Sequence, residues 1–119
     1  MVLQKKLRNV RLAMRAVRET WRTEPSFRVQ VVATLLLFAL AAYTHISKME
    51  WALLILALSG VLTVELVNTA IERTCDAFGR TDPHIGLIKD LGAAAASVIG
   101  FGAILVSCII FVPRIVALL

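Results

Sequence analysis

The chain has 119 residues, enough for one domain, and 59% of them are hydrophobic, against about 45–50% in ordinary soluble domains. The excess sits in three long apolar runs, which excludes a soluble globular protein and points to an integral membrane one. Net charge is +5, and the first 28 residues hold Lys5, Lys6, Arg8, Arg11, Arg15, Arg18, Arg22 and Arg28; beside a span this reads as a lipid-facing cytoplasmic segment, and the small soluble surface argues against a nucleic-acid site.

Residues 1–23 predict an amphipathic helix. Leu3, Leu7, Val10, Met14, Val17 and Trp21 recur every three or four residues, and Arg8, Arg11, Arg15, Arg18 and Arg22 follow one position over. An apolar stripe flanked by arginines suits a helix lying in the headgroup region. Pro25 then marks a break and a new helix start, with Glu24 at its N-terminal end. Residues 27–46 are almost wholly apolar and long enough to cross a bilayer. Ala39-Leu40-Ala41 resembles a signal cleavage site, but the charged region before it is too long for a signal, so the run reads as a retained span.

A short polar turn at 45–50 precedes a second span at 51–71, opened by Trp51 and continuing as helix to about Phe78. Tyr43 and Trp51 fall where interfacial aromatic residues belong. The stretch 79–86, "GRTDPHIG", predicts a loop in which Asp82-Pro83 caps a short helical turn. A third span covers 91–112, with Pro113-Arg114 near its end. Arg73, Arg80 and Lys89 lie on the same side as the basic N-terminus, whereas the other side carries only Lys48 and Arg114. The positive-inside rule therefore places the N-terminus in the cytoplasm and the C-terminus outside. Gly92, Ala96 and Gly100 make a small-residue stripe that allows close helix packing in lipid, which predicts a homo-oligomer. Cys75 and Cys108 are far apart and form no metal spacing.

The chemistry concentrates in "ELVNTAIERTCD", residues 65–76. Glu65, Asn68, Glu72 and Asp76 stand at i, i+3, i+7 and i+11. At 100° per residue they form one stripe roughly 80° wide, climbing from the span to its cytoplasmic end. Thr69 lies beside it. Ionisable groups inside spans are costly and usually functional. Glu24, Lys89 and Asp90 begin their own spans on the same side. Neighbouring carboxylates repel unless a cation joins them, and Mg²⁺ with phosphate oxygens fits such a set. No phosphate-binding glycine loop, HExxH, GxSxG or CxxC is present. A proton-coupled transporter or channel subunit using Glu65 is the competing reading, but it leaves Glu72, Asp76, Lys89 and Asp90 without a purpose.

These residues resemble the small prokaryotic diacylglycerol kinase family, which includes the undecaprenol kinases. "ELVNTAIERTCD" is similar to the family's E-[LI]-[LIV]-N-[TS]-A-I-E-x-x-x-D signature. "TEPSFRVQ" (23–30) and "KDLGAAAA" (89–96) are similar to two weaker elements. The resemblance implies an all-α membrane fold, with a surface helix and three spans in a homotrimeric bundle of the bacterial inner membrane. It implies phosphorylation of a membrane lipid alcohol by ATP and Mg²⁺ at the cytoplasmic interface. Glu65 would be the general base and Asn68 would orient the site. Glu24 and Glu72 would bind Mg²⁺, while Asp76, Lys89 and Asp90 would serve the nucleotide. Gln30 stands where proteobacterial diacylglycerol kinases hold a carboxylate, and His84 has no assigned counterpart. "CIIFVPRI" (108–115) and "EWALLIL" (50–56) look like undecaprenol kinases and "DAFGR" (76–80) like diacylglycerol kinases; the balance favours undecaprenol.

Overall fold

Four helices make up the chain in a computed structural model that describes residues 1–79 and 82–119. They are α1 (Val2–Thr23), α2 (Pro25–Thr44), α3 (Lys48–Phe78) and α4 (Pro83–Leu118). The last three are long and apolar enough to cross a membrane. Arg80, counted above with the basic side, and Thr81, within the predicted 79–86 loop, lie outside the described residues.

Each helix end has a local cause. Glu24 is extended because the residue before a proline avoids the helical region, so it closes α1 and opens α2 at once. The Arg28 guanidinium donates back to the Trp21 and Arg22 carbonyls, at 3.3 and 3.4 Å, and caps the end of α1. At the opposite end His45 takes the left-handed conformation that stops α2. Ser47 and Glu50 then form a reciprocal capping box that starts α3 three residues before the predicted span. Glu50 also pairs with Arg114, tying the start of α3 to the end of α4.

α4 differs most from the sequence expectation. It begins at Pro83 rather than near residue 91, so part of the predicted loop is its first turn, and it runs through Pro113 to Leu118. Proline is tolerated in a membrane helix where neighbouring groups re-satisfy the freed carbonyl. At 1.5 Å per residue its 36 residues reach about 54 Å, well beyond a hydrocarbon layer of roughly 30 Å. α3 overhangs in the same way at the end that carries Glu72 and Asp76.

Asp82 caps α4, accepting from the His84 backbone N–H at 2.9 Å. That bond, with a second from the His84 ring, holds the Asp82 carboxyl below its ordinary value. A lowered carboxyl stabilises the helix start fully above the ordinary aspartate range, and the effect is lost as pH falls through the lowered value. The protection of the His84 amide, its exchange rate taken against that of an unstructured amide at the same pH, is therefore expected to fall on acidification through that range in the native chain. An Asp82→Asn variant, whose amide oxygen still caps, should show no such pH step.

The apolar core lies at the end opposite the polar stripe. Ala41, Ile46, Leu54, Leu58, Ala103, Ile110 and Phe111 pack there, with Phe38 and Trp51 in tilted ring contact at its edge. Most other apolar side chains face outward: Leu36 is 65% exposed, Leu56 72% and Ile109 74%. An apolar surface of this extent is incompatible with water and calls for lipid or other protein around it.

Candidate functional site

The polar residues gather where the α1–α2 break meets the far halves of α3 and α4. Glu65 is buried on α3, at 8% exposure. Its carboxylate Oε1 accepts from the Ser26 hydroxyl in the first turn of α2, at 2.7 Å. One turn on, Thr69 is also buried, but its hydroxyl donates to the Glu65 carbonyl and leaves the carboxylate alone.

Asn68 follows along the stripe. Its Nδ2 lies 3.4 Å from Glu72 Oε1, a long i,i+4 contact. Its Oδ1 is buried and has no hydrogen-bond partner among the described residues. The amide is pressed against Gly92 of α4, where a Cβ would stand only 2.3 Å from Oδ1. Gly92 thus serves α3–α4 packing within the chain. Gly100, by contrast, has open space where a Cβ would be.

Glu24 is held by Arg73, whose guanidinium lies 3.7 Å from its carboxylate and donates to the Thr23 hydroxyl at 2.7 Å. Arg73 follows Glu72 directly, so this contact draws the α1–α2 break towards the Glu72 turn. Lys89 of α4 pairs with Asp76 of α3 at 2.7 Å, closing the outer end of the stripe. Asp90 stands next to Lys89 with an exposed side chain. Among the described residues no three His, Cys, Asp or Glu side chains come together as a metal-binding group.

An open groove of about 660 Å³ runs between α1 and α3, lined by Ala16, Thr20, Leu66, Thr69 and Arg73. It is mainly apolar and begins one residue along from Glu65. Gln30, one turn beyond Ser26 on α2, keeps its side-chain oxygen buried, with no hydrogen-bond partner among the described residues.

Ser26 and Arg73 escaped the sequence reading. Ser26 was not singled out at all, and Arg73 was counted only among the basic residues of one side. The available signal was position: Ser26 lies two residues after Glu24, and Arg73 adjoins Glu72.

The chain is similar in sequence to known proteins along most of its length. The profile of the prokaryotic diacylglycerol kinase family matches residues 11–111. The undecaprenol kinase of Bacillus subtilis is 33% identical over 106 residues, covering 87% of this chain and 85% of that protein. The diacylglycerol kinase of Escherichia coli K12 is 32% identical over 97 residues, covering 81% and 80%. That of Helicobacter pylori 26695 is 38% identical over 81 residues, covering 67% and 62%. A multi-pass helical chain, matched along most of its length, belongs to the prokaryotic diacylglycerol kinase family and is a lipid kinase.

Proposed function

We propose that the protein transfers the γ-phosphate of ATP to the hydroxyl of a membrane lipid alcohol, undecaprenol before diacylglycerol, at the cytoplasmic face of the bacterial inner membrane. The observation that carries this reading is Glu65. It is a buried carboxylate on a membrane helix, held by one hydroxyl, beside an apolar groove and three residues from a buried, unpartnered amide oxygen.

The donor set fits a hard divalent cation. Glu24 and Glu72 supply carboxylate oxygens and Asn68 a buried acceptor, and the missing ligands are of the kind that phosphate oxygens and water provide. Glu24, Glu72 and Asn68 would hold Mg²⁺, which would supply neutralisation of phosphate charge. Glu65 takes the proton as the lipid oxygen bonds to phosphorus and ADP departs. Lys89, poised at Asp76, offers a point charge to phosphate, with Asp90 beside it. Phosphoryl transfer depends chiefly on positioning and charge neutralisation, which this set provides without elaborate acid–base machinery.

α1 completes the picture. Leu7, Val10 and Met14 stay uncovered by the rest of the chain, which suits a helix lying on the membrane with its arginines at the phosphates. The homotrimer implied by the resemblance would cover apolar faces of α2, α3 and α4 and complete sites between protomers. The match to the Bacillus subtilis undecaprenol kinase supports that lipid as acceptor.

The test is direct. Purified protein in nanodiscs is given Mg²⁺-ATP and undecaprenol, diacylglycerol or a control alcohol, and lipid phosphate is measured. Transfer to undecaprenol should exceed transfer to diacylglycerol. No lipid-dependent transfer to any alcohol would end the proposal. Glu24→Ala and Glu72→Ala should each raise the Mg²⁺ concentration needed for half-maximal rate; an unchanged Mg²⁺ dependence would remove them as ligands.

A further inference from the structure

The hydroxyl that holds Glu65 is in an unusual place. Ser26 is the second residue of α2, where serine commonly bonds to the backbone of its own first turn. Here it reaches across 39 positions of sequence to the Glu65 carboxylate on another helix. Its 2.7 Å contact lies at the edge of the charge-assisted O–H···O⁻ range. Among the described residues it is the one hydrogen-bond donor to that carboxylate.

We infer that Ser26 is a positioning residue for Glu65, its hydroxyl fixing one carboxylate oxygen so that the other faces the task of taking the acceptor's proton. This rests on the reading of Glu65 as base. A glutamate's terminal torsion is broad, so a free carboxylate samples many orientations. A donor fixed on a second helix removes that freedom. Pro25 separates Ser26 from Glu24 and presets the backbone between them. The first turn of α2 therefore spaces the base against the carboxylate assigned to the metal. Ser26 links two halves of the reaction centre that sit on α2 and α3.

The experiment compares Ser26→Ala, Ser26→Thr and Glu65→Gln in nanodiscs with Mg²⁺-ATP and undecaprenol, with diacylglycerol as second acceptor. Ser26→Ala is expected to lower kcat about tenfold, the scale of one hydrogen bond to a charged group, while the KM values for ATP and lipid stay put. Ser26→Thr, which keeps the hydroxyl, should restore most of the rate. The infrared carboxylate band that disappears in Glu65→Gln should shift in Ser26→Ala and return in Ser26→Thr. A Ser26→Ala enzyme with native kcat and an unmoved band overturns the inference while leaving Glu65 as base. So does a loss confined to KM. Native turnover by Glu65→Gln would instead remove the base assignment, and the role of Ser26 with it.

Discussion

Glu65→Gln should reduce kcat by roughly 10²–10⁴-fold, the usual contribution of a general base, and leave ATP binding nearly unchanged. Glutamine has the same shape, and its amide oxygen still accepts from Ser26, so the burial of the site and the packing of α2 on α3 are preserved. What is lost is the capacity to take a proton. Steady-state rates with saturating lipid, beside nucleotide titrations of the same preparations, make the comparison. A parallel loss of nucleotide binding, or a marked fall in thermal stability, would mean that Glu65 supports the fold rather than the reaction.

The second large effect is expected from a single methyl group. Gly92→Ala would place a Cβ 2.3 Å from Asn68 Oδ1, inside any permitted contact. Either α4 moves away from α3 or the amide leaves its place. Overpacking of this kind costs about 1–3 kcal/mol, and here the group displaced belongs to the site. Turnover should fall about as far as in Asn68→Ala. In the double variant the amide that causes the clash is gone, so its thermal midpoint should exceed that of Gly92→Ala alone. Gly86→Ala, with open space around it, should behave as native. Full activity and stability in Gly92→Ala would contradict the close approach of α3 and α4.

The sequence made some parts of this molecule legible and not others. The three apolar runs and the Thr23–Pro25 break each report on a few consecutive residues, so composition and periodicity predict them well. The stripe of Glu65, Asn68, Glu72 and Asp76 was equally readable, because all four ride on α3 and helical geometry alone places them. Hydropathy sets only the length of a span, which hid the overhangs of α3 and α4 and the passage of α4 through Pro113. Contacts between helices were less accessible still. Ser26 to Glu65, Arg73 to Glu24 and Gly92 against Asn68 depend on how each helix is rotated towards its neighbour. Periodicity within one helix carries no such information. Lys89 and Asp76 were both singled out for the nucleotide, but their pairing became visible only in three dimensions.

The apolar cluster and the Glu50–Arg114 tie lie at one end of the molecule, and the polar residues proposed to react lie at the other. Cohesion and turnover therefore occupy separate territories. The clamped end can remain shut while the polar end opens by small, inexpensive fluctuations to admit a bulky alcohol and release a charged product. Mutations would then divide by latitude: those near Leu54 and Phe111 should lower the amount of folded enzyme, and those near Glu65 should slow the enzyme that remains.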